Sequence, residues 1–311
     1  KQLKRWGGEI SRKTMNDWIA AASFWLEIIY WRIRAGLIAG SYLQVDETPI
    51  RFMDPDLKKG KTSTGYFWLI GRPGGCVFID WRLTRQQAEA ESLLKGFQGV
   101  LQSDEYHAYP HVEKLSNGMI IRVACLAHVR RRFADAMKTN PLEADFILRL
   151  IGNIYHIDNE WERDGIIDSD HRAHLRQRDL LPRLDFLHKV VTRVRNRVRP
   201  TSPLGDACDY LLGRWPNIVK LCYHGEVKLD NNLIENDVRP SVQGRKNWLF
   251  IGAPGAGKRS AILYTIILSC RRLGIDPGKY IEDVLKRLPA MNNQDDIEAL
   301  LPQNWKQVES N

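Results

Sequence analysis

The order of apolar and polar segments between residues 42 and 128 is the feature that most restricts the fold. Three short apolar or aromatic segments, SYLQVDETPI, GYFWLIGRPG and GCVFIDWRL, are separated by Gly, Pro, Ser and Thr, which predicts a meander of three strands. The segment TRQQAEAESLLKGF has helical spacing, and GVLQSDE and MIIRVACLAH each have the apolar character of a buried strand. Three strands, a helix, a strand, a helix and a strand predict an α/β fold with a mixed five-stranded sheet.

Helical segments are predicted on both sides of this sheet. Residues 11–37 form one of them, and from about residue 130 to 228 the pattern is almost wholly helical, with prolines as breaks. This order is that of an RNase H-like fold with flanking helices and a large all-helical insertion before the last helix of the core. The predicted division begins with an N-terminal helical segment at residues 1–40 and the first part of the core at 41–140. The helical insertion follows at 141–228. The second part of the core, with the last helix and the glycine loop, is predicted at 229–272, and a C-terminal helical segment with a tail at 273–311.

Composition narrows the classes of function. The formal net charge of +9 favours a polyanionic partner, because cationic side chains that neutralise phosphates release counterions. The five cysteines are scattered without a Cys-x-x-Cys pair, which indicates a reducing compartment and argues against a zinc ribbon. The longest apolar stretch is interrupted by Glu27, Arg32 and Arg34, so we expect a buried helix rather than a membrane span. Because the sequence begins with Lys1, we expect it to be part of a longer chain.

The segment NWLFIGAPGAGKRS resembles a phosphate-binding P-loop, since an apolar run leads into a glycine turn that ends in Gly257 and Lys258. A P-loop has Ser or Thr directly after its lysine to bind magnesium, whereas Arg259 occupies that position here. The remaining residues have the pattern of helices and a polar tail, so no further strands of a nucleotide-binding sheet are expected. The segment is therefore predicted to be a flexible, basic, glycine-rich loop. The alternative is a permuted P-loop ATPase that uses Gly252 to Lys258, with YLQVDE as its magnesium strand.

Carboxylates follow two of the predicted strands in the same way, in LQVDE and LQSDE. The first and fourth strands of an RNase H-like sheet are parallel neighbours, so Asp46 and Asp104 are expected side by side, where a divalent metal would offset their repulsion. The pattern alone leaves Glu47 and Glu105 open as alternatives. A third carboxylate, Glu235, lies near the start of the helix predicted from LDNNLIENDVRP, where Arg239 stands four residues later as an ordinary ion-pair partner.

The segments VDETPIRF, LQSDEYHAY, CLAHVRRRF, LDNNLIENDVRPSVQGRKNWLF and DVLKRLP, with IEALLPQNW, resemble the transposases of the insertion sequence 66 family. The resemblance runs from about Leu3 to Trp305. It implies a DDE transposase with an RNase H-like catalytic core, which cleaves DNA strands and transfers them during transposition of the mobile element. By the same resemblance the catalytic and metal-binding triad is Asp46, Asp104 and Glu235, which would hold two Mg2+ ions, with Mn2+ as a possible substitute.

Partners and location also follow from the resemblance. It implies double-stranded DNA as the partner, at the transposon ends and at the target, a homo-oligomer in the active complex, accessory proteins of the same element, and a bacterial cytoplasmic, nucleoid-associated location without a membrane. Family members usually begin with a coiled coil, a cysteine-rich metal-binding segment and a DNA-reading region, which this sequence does not contain. If the carboxylates do not converge, a non-catalytic DNA-binding protein is the remaining alternative.

The segment CLAHVRRRF resembles the Cys-x-x-His signature that several DDE families place between the second aspartate and the glutamate. It implies that Cys125 and His128 lie near the active site. Zinc is not expected there, because two ligands do not complete a site. Further near-site or DNA-binding candidates are Arg131, Arg132, Arg239, Arg245, Lys246 and Lys258, and the arginines at 130, 193, 195, 197 and 199 are additional candidates for phosphate contacts.

Overall fold

The computed structural model describes residues 7, 9–57, 60–104, 106–292 and 295–306, and the side chains at positions 245, 246 and 248 lie outside this description. Its sheet has five strands in the order β3-β2-β1-β4-β5. The strands are β1 (Tyr42–Met53), β2 (Thr62–Gly71), β3 (Val77–Arg82), β4 (Gly99–Gln102) and β5 (Ile120–Val123).

Strand direction makes this a mixed sheet. β2 and β3 are antiparallel, whereas β4 is parallel both to β1 and to β5. The predicted α/β class and RNase H-like sheet are thereby confirmed.

One strand end was predicted wrongly. We expected β1 to end before Asp46, but it continues to Met53 and Asp46 lies in its interior. The reason is that β4 is only 4 residues long, so its pairing with β1 stops at Gln44, while β1 continues as the neighbour of β2.

Along the chain, helices precede the first strand, alternate with the last two strands and follow the fifth strand. Residues 141–228 contain helical elements and no strand. The helices are α1 (Arg12–Ile38), α2 (Gln87–Leu94), α3 (Ala108–Leu115), α4 (Leu126–Ala136), α5 (Pro141–Arg163), α6 (Ser169–Leu175), α7 (Leu181–Arg195), α8 (Pro203–Gly213), α9 (Trp215–Val219), α10 (Asn232–Trp248), α11 (Pro254–Arg272) and α12 (Pro277–Arg287). A π-helical turn at Arg176–Leu180 joins α6 to α7, and 3₁₀ turns lie at Lys220–Cys222, Leu288–Ala290 and Ile297–Leu300.

The chain divides into two compact units. The first contains Lys1–Ala39, Asp46–Gly96 and Asn236–Asn311, and the second contains Gly40–Val45 and Phe97–Glu235. In the second unit, Ile147, Ile151 and Ile154 of α5 are buried, a spacing that places them on one face of the helix. That face contributes to a core formed with α4, α7 and α8.

In the first unit, helix α11 covers the edge strand β3. The hydroxyl oxygens of Ser269 and Thr265 accept hydrogen bonds from the backbone N–H groups of Val77 and Ile79, at 3.1 and 2.9 Å. The unpaired edge of β3 is thus satisfied within the chain, which removes a template for pairing with another strand. Across the described ranges, no helix combines the length and the apolar character needed to cross a membrane.

Candidate active site

The second unit is organised by two buried glutamines at equivalent positions of β1 and β4. Gln44 and Gln102 are register partners, and the Nε2 of Gln44 donates to the Oε1 of Gln102 at 3.0 Å. The same Nε2 also donates to the main-chain oxygen of Asp230 at 2.9 Å. The Nε2 of Gln102 donates to the main-chain oxygen of Lys228 at 2.8 Å. The hydroxyl of Tyr42 donates to Gln102 at 2.6 Å. These bonds hold the segment that leads into α10 against the two strands.

A second set of bonds joins the beginnings of α4 and α10. The backbone N–H of Leu126 donates to the oxygen of Leu229 at 3.0 Å, and that of Asn231 lies 3.5 Å from the Sγ of Cys125. The amide of Glu235 donates to the oxygen of Asn231 at 3.1 Å, which sets the first turn of α10. Since Cys125 is the N-cap of α4, its thiol lies where the two helices begin.

Cys125, His128 and Arg131 converge on Glu235. The Nδ1 of His128 is 3.5 Å from the Oε1 of Glu235, and the Nη2 of Arg131 is 3.3 Å from its Oε2. One ligand atom from each of Cys125, His128 and Glu235 lies within 4.8 Å of the other two. Burial raises the pKa of the Cys125 thiol to about 12, although backbone N–H groups of Asn231 and His128 oppose the shift. The two carboxylate oxygens of Glu235 thus face different partners: Oε1 faces the imidazole of His128, and Oε2 faces the guanidinium of Arg131.

Asp104 follows β4 in the same unit. Its Oδ1 accepts a hydrogen bond from the backbone N–H of Tyr106 at 3.1 Å, which fixes the turn after the strand. Gln102, two residues earlier, is the last residue of β4 that pairs with β1. Glu105, the alternative to Asp104, lies outside the described residues.

Asp46 and its alternative Glu47 belong to the first unit. The side chain of Glu47 is 1% exposed and accepts from the Nε of Arg85 at 3.0 Å, so a buried carboxylate pairs with a partly exposed guanidinium. The Oδ1 of Asp46 accepts the backbone N–H of Glu47 at 2.9 Å.

The other cationic candidates have different environments. Arg132 pairs with Asp206 at 2.7 Å and stacks over the ring of Tyr210, which engages it in the helical part of its unit. Arg239 is exposed, and the carboxylate expected to pair with it, that of Glu235, pairs with Arg131 instead. Arg245 and Lys246 lie on α10, but their side chains fall outside the described part of the chain.

The glycine-rich segment is not a flexible loop, and that prediction was wrong. α11 begins at Pro254, so Gly257 and Lys258 lie within its first turns. A Cβ added to Gly257 would lie 2.3 Å from the ring of Trp81, so the glycine permits close packing. The ammonium of Lys258 is 3.4 Å from Glu27 and lies over the rings of Tyr30 and Trp31. Packing within the first unit accounts for the P-loop-like pattern.

Comparison with known proteins identifies related chains. A family model described as the transposase IS66 family matches residues 1–259, and a model of the IS66 C-terminal element matches residues 265–303. Among curated proteins, the chain is 30% identical to uncharacterized protein y4jD of Sinorhizobium fredii over 97% of its length, and 28% identical to y4qI and y4hP of the same organism over 96% and 97%. It spans 61% of the length of y4jD and 57% of the other two.

Proposed function

Because this chain belongs to the IS66 family of transposases, we propose that it is a DNA-processing catalytic core that cleaves strands at the ends of an insertion sequence and joins them to target DNA. The family match supports the transposase role, and the buried glutamine pair supports the choice of catalytic residues. The proposed partner is double-stranded DNA, with a homo-oligomer and accessory proteins of the same element in the active complex. The net charge of +9 suits such a partner.

The observation that carries the choice of residues is the parallel register of Gln44 with Gln102. Asp46 and Asp104 each follow their glutamine by two residues, and both glutamines hold the segment that precedes Glu235. We assign the catalytic triad to Asp46, Asp104 and Glu235 on this basis.

The proposed cofactor of this triad is Mg2+, with Mn2+ as a substitute. Magnesium prefers carboxylate oxygens, and the Oε1 of Glu235 is buried without a hydrogen-bond partner among the described residues. Magnesium bound by the three carboxylates would activate the attacking hydroxyl and stabilise the leaving oxygen at phosphorus. The chain itself orients Glu235 through Arg131, and it fixes Asp104 through the backbone of Tyr106.

Arginines of α4 provide the cationic surface of this proposal. Arg130 and Arg131 are exposed on the helix that also carries His128; Arg130 is a proposed phosphate contact, and Arg131 pairs with Glu235. Arginine suits this contact because its guanidinium is permanently charged and donates two parallel hydrogen bonds.

The test is cleavage of duplex DNA that carries an end of the element, measured with and without magnesium. Asp46→Asn, Asp104→Asn and Glu235→Gln are each expected to lower the cleavage rate by at least about 1,000-fold and to retain DNA binding. The matched control is Asp56→Asn, an exposed aspartate of the first unit, which should cleave at the normal rate.

Cleavage that survives all three substitutions would refute the assignment of the triad. Saturable ATP binding that is lost in Lys258→Ala would instead support the ATPase alternative. Retention of DNA binding in the three carboxylate variants separates a lost metal site from a lost fold, because phosphate-facing cations remain.

A further inference from the structure

Cys125, His128 and Glu235 form a cluster whose chemistry differs from that of a magnesium site. Cys125 and His128 alone would not complete such a site, but Glu235 supplies a third ligand from a helix more than 100 residues away in sequence. We propose that these three residues bind a thiophilic divalent cation of the zinc class through Cys125 Sγ, His128 Nδ1 and Glu235 Oε1. The three ligand atoms lie within 4.8 Å of one another. A thiolate, an imidazole and a carboxylate are the donors that zinc takes in proteins, whereas magnesium takes oxygen donors alone.

Two atoms of the cluster have unfilled hydrogen-bonding capacity. The Nδ1 of His128 and the Oε1 of Glu235 are buried, and within the described ranges neither has a hydrogen-bond partner, although they lie only 3.5 Å apart. Buried polar atoms in folded proteins are nearly always paired, so this arrangement calls for a group that satisfies both. A cation between the lone pairs of nitrogen and oxygen does so.

The surroundings of the sulfur add a second, independent observation. The backbone N–H of Asn231 donates to Cys125 Sγ at 3.5 Å, which holds the sulfur beside the start of α10. The side chain of Asn231 is 0% exposed, and in the part of the chain that the structure describes neither its Oδ1 nor its Nδ2 has a partner. The residue whose backbone faces the sulfur therefore also carries a buried amide with unfilled hydrogen-bonding capacity.

Access and rigidity both suit a bound ion. The side chains of His128 and Glu235 are 23% and 21% exposed, so both ligand residues reach the surface of the unit although their ligand atoms are buried. Three protein ligands leave a fourth position of a tetrahedral ion open, as in zinc sites that exchange ligands. The starts of α4 and α10 are tied by the bonds from Leu126 and Asn231, which limits how far the ligands move apart.

One consequence rests on the proposed function, whereas the binding itself does not. Glu235 is shared between this cluster and the proposed magnesium ligands. A zinc ion held by the thiolate and the imidazole would keep Glu235 from the catalytic set. Zinc is therefore expected to inhibit magnesium-supported cleavage.

The binding is tested by titrating the reduced, metal-free chain with Co2+, which reports thiolate ligation by an intense near-ultraviolet absorption. We expect one saturable equivalent with this band in the wild type, and no band in Cys125→Ser or His128→Ala. Glu235→Gln should retain a thiolate band but weaken the affinity by at least about tenfold. Cys222→Ser, which removes another buried thiol of the same unit, is the matched control and should keep the band.

Thermal melting of each variant separates loss of the ligand from loss of the fold. A wild type without the band, a band that survives in folded Cys125→Ser, or a band lost in folded Cys222→Ser would overturn the cation site. Cleavage of DNA by a chain that shows no cobalt band would leave only the proposed function standing. A cobalt band in a chain that cleaves no DNA would leave only the cation site standing.

Discussion

The side-chain amide of Gln44 donates a hydrogen bond to the main-chain oxygen of Asp230, 2.9 Å away, across 186 positions of sequence. This bond joins the first strand of the sheet to the segment that leads into the helix of Glu235. The neighbouring glutamine, Gln102, makes the equivalent bond to Lys228. The position of Glu235 in the second unit therefore depends on the side chains of Gln44 and Gln102, which are far from α10 in sequence.

Replacing Gln102 with leucine should destabilise the chain by about 3 kcal/mol, because the main-chain oxygens of Ala124 and Lys228 would be left buried without their donor. Urea unfolding measures the change. The exposed Gln98→Leu is the control, and we expect it to lie within about 0.5 kcal/mol of the wild type. Equal effects of the two substitutions would show that the buried glutamine does not hold the segment.

The repeated Leu-Gln-x-Asp-Glu pattern explains what the sequence predicted of this region and what it missed. The repeat predicts two strands at equivalent positions, and its aspartates are candidate metal ligands because they are carboxylates. The glutamines are polar residues inside apolar strands, which is a signal for a buried hydrogen-bonded pair. Their acceptors, Lys228 and Asp230, are more than 100 residues away from Gln102 and Gln44, so no local pattern identifies them.

Asp158 is the centre of a buried ion-pair network in the helical part of the second unit. Its carboxylate accepts from the Nη2 of Arg172 at 2.7 Å and from the Nε of Arg176 at 2.8 Å. Asp158→Asn should cost about 3–5 kcal/mol, because two buried guanidinium groups would lose their counter-charge. Urea unfolding measures the loss, and the exposed Asp185→Asn is the control. A loss no larger than that of the control would contradict a structural role for the network.

Acidification should weaken the same network. Burial raises the pKa of Asp158, but hydrogen bonds and charge from Arg176 and then Arg172 outweigh it and hold the pKa below its ordinary value. The unfolded chain thus binds the proton more tightly, so the stabilisation is complete above about pH 4 and is lost as the pH falls through the folded pKa. Unfolding midpoints should fall more steeply with acidification in the wild type than in Asp158→Asn. Parallel profiles would show that Asp158 is not the titrating group.

Lys258→Ala should act on stability rather than on DNA binding. The substitution removes the ammonium from the rings of Tyr30 and Trp31 and from Glu27, a loss of about 1 kcal/mol. The slope of log affinity against log salt should not change, whereas loss of a phosphate contact would reduce it by about 0.9. Lys279→Ala, at an exposed position, is the control for stability. A reduced slope would restore Lys258 as a phosphate ligand.

In the glycine-rich segment, tertiary packing rather than phosphate binding explains the local sequence pattern. Gly252 to Lys258 matches part of a P-loop because small residues and a lysine occur at suitable intervals. The ring of Trp81 leaves no room for a side chain at position 257, so glycine is required there. The ammonium of Lys258 contacts two aromatic rings and the carboxylate of Glu27, which explains the lysine. These partners come from β3 and α1, so the tertiary contacts that explain the segment have no local signal in the sequence.

Arg131 and Arg132 provide a matched pair for the role of Glu235. They are adjacent, exposed and equally charged, but Arg131 pairs with Glu235 and Arg132 with Asp206. Arg131→Ala should lower single-turnover DNA cleavage roughly 10- to 100-fold by releasing the Glu235 carboxylate from its orientation, and Arg131→Lys should restore part of the rate. Arg132→Ala should stay within about twofold of the wild type, since its partner Asp206 is not one of the proposed catalytic residues. Both alanine variants lose one charge, so equal losses of cleavage would assign the effect of Arg131 to DNA binding rather than to the orientation of Glu235.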